Sequence, residues 1–155
     1  MESEARPMGD IENRLAELGL ALPPPRPPVA DYLGAKVSND LLFVSGRVSD
    51  LRGEVGSTVS LEEARLAARD TMLQLLAITK QVIGDLDRIA SVEFVRGFVR
   101  SAADFADQPK VIDGASGLLI ALWGEPGRHA RTATGAAQLP FGAAVQLDMV
   151  LRLQN

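Results

Sequence analysis

Arg131 is the residue in this chain whose type and position most need a chemical explanation. It heads a run of small side chains, Thr132, Ala133, Thr134 and Gly135, within a segment (residues 127–151) that reads as two strands joined by a Leu-Pro-Phe-Gly turn at 139–142. Strands seldom admit a guanidinium to a buried face, because an unpaired buried charge is expensive. A guanidinium is also a rigid fork of donors that fits a carboxylate bidentately, so one arginine in a small cleft can orient a 2-oxo or 2-imino acid. The small residues that follow leave room above the strand, and the backbone N–H of Ala133 could add a donor. His129, the only histidine, stands two positions earlier and is a possible base, since an unperturbed imidazole titrates near neutrality. The plainer alternative is a strand-end arginine paired with Glu125 or Asp148, beside a histidine that is structural or exposed.

The rest of the chain narrows the chemistry. At 155 residues it has the length of one compact domain, and such a domain buries roughly 70% of its unfolded surface without staples. There is no cysteine, which removes disulfides, thiolate nucleophiles and Cys-type zinc sites and suits a reducing cytoplasm. With one His and no clustered Asp, Glu and His ligands, a metal site is not expected. The net charge of −4 offers no global field for nucleic acid. No apolar run reaches the ~18–20 residues of a membrane span. The charged start of the chain has no signal-peptide core.

The elements that must position Arg131 can be read from periodicity and punctuation. Ile11, Leu15, Leu18 and Leu22 give a short helix over 11–22, with Asp10 as N-cap and Gly19 as stop. Prolines at 23–28 then impose an extended tether, read as a spacer, so residues 1–30 form an N-terminal appendage and 31–155 one domain. Residues 35–38 and 41–46 form a hairpin about Asn39-Asp40, and 51–57 is a glycine-bearing turn with a short strand. Ser60 and Glu63 make a capping box for a long helix ending at Gly84, whose apolar stripe includes Ala64, Ala68, Met72, Leu75, Leu76 and Ile83. Residues 88–100 read as a strand. A second helix spans 107–124, with Asp107 as cap, Pro109 near its start and Gly124 at its end. The sum is an α+β sandwich of about six strands, with two helices on one face of a mixed sheet. The opposite face has no internal cover, which predicts a homo-oligomer.

Several of these pieces occur in a fixed order that resembles the YjgF/RidA family of reactive intermediate deaminases. They are Tyr32 followed by the strand ending at Ser45-Gly46, the long helix after Gly-Glu-Val-Gly, the strand at 90–99, and an arginine seven residues before Leu139-Pro140. The resemblance runs from about Ile11 to the C-terminus, toward a branch of about 150 residues that carries an N-terminal extension. It implies a chorismate-mutase-like fold, a homotrimer with sheets lining a central barrel, and three clefts between subunits. It also implies that Arg131 binds the substrate carboxylate, with Tyr32, Ser45, Gly46 and the backbone of Ala133 around it. The implied reaction is cofactor-free and metal-free hydrolysis of an enamine or imine of a 2-oxo acid to the 2-oxo acid and ammonia. Active deaminases carry a glutamate six residues after the proline, and here that place is taken by Gln146. A neutral amide orients water but does not take its proton, so a base contribution of ~10²–10⁴-fold is at stake. Asp148, two residues on and on the same strand face, is a possible substitute.

Three functions compete on these grounds. One is the deaminase. Another is a non-catalytic module holding a small carboxylate in the same cleft, which Gln146 favours. The third is a ribonuclease or translation inhibitor, for which Arg96, Arg100, Arg128 and Arg131 would have to form a patch on an otherwise acidic chain.

Overall fold

A computed structural model of the chain describes residues 9–155. The charged start, residues 1–8, lies outside the described residues, as does most of the segment read above for a signal core.

Strand β5 (Val145–Leu153) sets the plan of the molecule. Val145, Leu147, Met149, Leu151 and Leu153 are buried, while Gln146, Asp148 and Val150 alternate to the other face and are half-buried. Five strands pair in the order β1-β2-β5-β3-β4, which puts β5 at the centre of the sheet. The others are β1 (Ala35–Ser38), β2 (Leu41–Val48), β3 (Ile89–Arg100) and β4 (Ala130–Ala136). β5 pairs antiparallel with β2 and β3, whereas β4 runs parallel to β3 and forms one edge. The sheet is therefore mixed, as the sequence predicts.

It has five strands rather than about six. Residues 51–57 make only isolated bridges, Arg52 to Ala143 and Val55 to Val59 and Ser101. Gly53 and Gly56 both adopt positive φ, +129° and +95°, and turn the chain too often for a ladder to form.

Three helices accompany the sheet: α1 (Asp10–Glu17), α2 (Leu61–Ile83) and α3 (Gln108–Trp123). α2 starts as its capping box predicts, with Ser60 Oγ accepting from the Glu63 N–H at 3.1 Å, and Gly84 ends it. Its stripe, with Met72, Leu75 and Leu76 fully buried, packs on the sheet face that carries Leu147 and Met149. Each such side chain stabilises the fold by about 1.5–3 kcal/mol. α3 lies close against α2 because Gly114 has no side chain. A Cβ there would sit 2.0 Å from the Arg65 carbonyl oxygen. That approach fixes the height of α3 over the sheet, and α3 carries the partners of Arg131.

The N-terminal segment keeps its predicted stop and departs from its predicted N-cap. α1 ends at Glu17 with Gly19 in the left-handed region just beyond (φ +74°), whereas Gly9, not Asp10, holds the N-cap position. The cap comes from a distant loop, where the Asp87 carboxylate accepts from the N–H groups of Asp10 (2.9 Å) and Ile11 (3.0 Å). Ile11 and Leu15 are buried in the main core, so α1 is packed on the domain. Asp107 holds the N-cap position of α3 as predicted, but its side chain makes no capping hydrogen bond. No helix among the described residues is long and apolar enough to cross a membrane.

The uncovered face carries the apolar residues predicted for it. Phe43, Val150 and Phe94 lie in register across β2, β5 and β3. One row along the same face, Asp148 faces Arg96, joined by a 3.0 Å ion pair.

Candidate functional site

The predicted site residues fall into two groups on opposite faces of the sheet. Arg131 pairs in register with Val95, which faces the helices and is fully buried, so its side chain enters the layer between β4 and α3. There Nη1 donates to Asp113 Oδ1 at 2.7 Å and to Ser116 Oγ at 3.3 Å, and Nη2 makes a long 3.4 Å contact with the Pro109 carbonyl. The side chain is 24% exposed, in contact with solvent at the sheet edge. These contacts occupy three of the five guanidinium donors, leaving Nε–H and one Nη2–H for a ligand.

His129 belongs to the same cluster as a support. Its Nδ1 lies 2.7 Å from the Gly127 carbonyl, so that nitrogen carries the proton and donates. Nε2 is then the acceptor, and the Ser116 hydroxyl donates to it at 2.9 Å. Ser116 is buried, and its oxygen in turn accepts from Arg131. The chain Gly127–His129–Ser116–Arg131 thus orients the guanidinium from behind. Both imidazole nitrogens are engaged, which does not suit His129 to the role of a base toward substrate. Neither carboxylate weighed in the plainer reading is the partner: Glu125 lies 3.8 Å from Arg128, and Asp148 is held by Arg96. Ala133 lies on the same face as Arg131 and packs against the core.

Tyr32, Gly46 and Gln146 gather elsewhere, in a cavity of about 510 Å³. Gln146 is on the uncovered face, in register with Val48 and Phe98. Its amide Nε2 would lie 3.3 Å from a Cβ at position 46, so the glycine lets the amide lie close over the backbone at the bulge in β2. Ser45 serves this wall indirectly. Its hydroxyl donates to the Leu33 carbonyl at 2.6 Å and ties the Tyr32 loop to β2. Asp148 lies on the Gln146 face, as the two-residue spacing predicts, but in its ion pair with Arg96.

Other walls of this cavity were not anticipated. The proline tether, read as a spacer, supplies Arg26, Pro27 and Val29. Arg47 Nη2 donates to the Arg26 carbonyl at 2.7 Å, and Arg26 itself makes two bonds to the Asp50 carboxylate, at 2.7 and 3.0 Å. The hydrogen bond from Arg26 holds the Asp50 carboxyl below its ordinary range, and Asp50 raises Arg26 in return. Phe141, 65% exposed at the rim, has a left-handed backbone (φ +61°), which is costly for an aromatic residue. The run of prolines marked the tether, but nothing in it pointed to a cavity wall. Asp113 lies 18 residues before Arg131, a distance that only the α3 connection closes.

The four arginines that would have made a nucleic-acid patch do not form one. Arg96, Arg128 and Arg131 each face a carboxylate, and Arg131 lies on the opposite sheet face from Arg96. Among the described residues, no three His, Asp or Glu side chains converge to hold a metal ion.

The chain was compared with known proteins. Residues 12–151 match the family model described as "YjgF/chorismate mutase-like, putative endoribonuclease". Protein TCP17 of Trypanosoma cruzi is 38% identical over 154 residues, covering 95% of this chain and 96% of that protein. A crystal structure of an Agrobacterium tumefaciens protein of unknown function, Atu1372, superposes with a TM-score of 0.85 at 40% identity, covering 93% of this chain and 92% of that one. RidA from a Psychrobacter species shares the fold at 20% identity and a TM-score of 0.57, over 84% of this chain and 94% of its own.

Proposed function

Since the chain belongs to the YjgF/RidA family, we propose that it hydrolyses the imine of a small 2-oxo acid, or the enamine that tautomerises to it, in clefts between three copies of itself. Arg131 grips the carboxylate through its remaining donors. Water adds to the C=N carbon, the C–N bond of the resulting carbinolamine breaks, and the products are the 2-oxo acid and ammonia. Gln146 and the walls at Tyr32 and Gly46 orient the acceptor carbon and the water. Nothing in this chemistry requires a cofactor or metal, and the cysteine-free chain suits the cytoplasm, where such intermediates arise.

The observation that carries the reading is the supported guanidinium at an open sheet edge, with donors left over. Distance supports the assembly. Arg131 and Gln146 lie on opposite faces of the sheet, on strands separated by β3, roughly 10 Å apart across the ladder. No small acid touches both within one chain, so a neighbour's Arg131 edge must meet this chain's Gln146 cavity. The Phe43–Val150–Phe94 row supplies an apolar surface for the contact.

Purified protein should run in solution at three times the 16.5 kDa chain mass and speed the loss of 2-aminoacrylate in a coupled dehydratase assay. Arg131→Ala should lower kcat/KM by about 10²-fold or more, the loss of a charged hydrogen-bonded contact in a desolvated site. A monomer, or loss of the intermediate at the buffer rate, would overturn the proposal. The second reading, a carboxylate-binding module without turnover, is favoured by one observation: the carboxylate nearest Gln146 along the strand, Asp148, is already bound to Arg96. Affinity for 2-oxo acids without turnover would select it.

A further inference from the structure

The cavity beside Gln146 carries more positive charge than the carboxylate chemistry above uses. Three arginines, Arg26, Arg47 and Arg52, and one acid, Asp50, are its charged lining residues. Asp50 is taken by Arg26 in a bidentate pair. Arg47 and Arg52 form no ion pair among the described residues. Arg47 donates to the tether carbonyls of Arg26 and Pro27, which satisfy hydrogen bonds but do not neutralise charge, and its Nε is buried with no hydrogen-bond partner. In a chain with net charge −4, two uncompensated cations therefore meet in one concavity. Such a focus of like charge in a cleft raises the local concentration of anionic ligands. Val29 and Phe141, also on the lining, give an apolar stretch suited to methylene groups.

We propose that Arg47 and Arg52 form a second anion subsite, and that the ligand of this protein is a small dicarboxylic 2-oxo or 2-imino acid. One carboxylate meets Arg131 of a neighbouring copy, the C2 centre faces Gln146, and the distal carboxylate passes Gly46 to reach Arg52 and, beneath the tether, Arg47. The subsite rests on the reading above only for the placement of the C2 end. The charge excess belongs to this chain alone.

The test is titration calorimetry on the intact protein with three probes of equal carbon number: 2-oxopentanoate, 2-oxoglutarate and glutarate. The first two differ only in the distal carboxylate. Wild type should bind 2-oxoglutarate about tenfold or more tightly than 2-oxopentanoate, the scale of a charged hydrogen-bonded contact. Arg52→Gln, at an exposed position, should reduce that preference to about threefold or less, and Arg47→Gln should do the same. Equal affinities in wild type, or a preference that survives both substitutions, would overturn the subsite while leaving the deaminase reading in place. Glutarate binding as tightly as 2-oxoglutarate, with both unaffected by Arg131→Ala, would uphold the subsite and sink the deaminase reading. Binding of none of the three would overturn the subsite.

Discussion

The two arginine-bearing regions of this molecule are built on opposite plans. At the β4–α3 edge, Arg131 has a carboxylate at 2.7 Å, a buried serine behind it and a histidine behind the serine. Its direction is set before any ligand arrives. In the tether cavity, Arg47 is held by carbonyl oxygens, and neither Arg47 nor Arg52 has an ion-pair partner among the described residues. The first region is rigid and nearly neutral, whereas the second is positive and capped by a segment with little secondary structure. Fixed donors govern geometry, while unanswered charge governs which ligands are attracted. A site assembled from both would separate orientation from selection.

The contrast can be sharpened or broken by substitution. After Arg131→Ala, the largest expected effect comes from the cavity side, where Gln146 stands in place of a base. Gln146→Glu should raise kcat for imine hydrolysis by about 10- to 100-fold, at the lower end of general-base contributions. No gain would mean that a further residue already activates the water. A smaller effect is expected at the rigid edge. Asp113→Asn should weaken 2-oxo acid binding about three- to tenfold, read as KM more than kcat, and Asp113→Glu should recover part of it. Tighter binding instead would show that Asp113 competes with the ligand, and would remove the distinction between the two regions.

The smallest effect belongs to the Arg26–Asp50 clasp. Both side chains are more than half exposed, so Asp50→Asn should cost less than about 1 kcal/mol, at most a few degrees in the thermal midpoint. Because the folded-state carboxyl is lowered from its ordinary 3.8, the clasp contributes stability above that value and loses it as pH falls below 3.8. Thermal midpoints of wild type and Asp50→Asn should therefore converge in acid. A difference that persists once the carboxyl is protonated in the folded state would indicate that the asparagine disturbs the tether by some other means.

Local signals carried most of the fold. The capping box at Ser60, the terminal glycine at 84 and the strand pattern along residues 88–100 each place an element, because each depends on neighbours in sequence. Residues 51–57 were harder. They read as a glycine-bearing turn with a short strand, and two glycines at positive φ leave the turn with bridges alone. The N-cap of α1 was invisible because its acceptor, Asp87, is 77 residues away from Asp10.

The candidate site divides in the same way. Arg131 stood out from the sequence because a guanidinium among small strand residues is anomalous. Its partners Asp113 and Ser116 did not stand out, since their relation to it is made by helix packing that hinges on Gly114. Arg47 looks like an ordinary surface arginine until the tether is seen folded over it.

That tether has an evolutionary consequence. Arg26, Pro27 and Val29 form a wall of the cavity, yet no buried core residue lies among them. Their sequence can therefore drift, and with it the size and polarity of what is admitted, without disturbing the interior that specifies the fold. Descendants of one ancestral scaffold could diverge in diet by rewriting a few residues at the margin, each inheriting an unchanged frame.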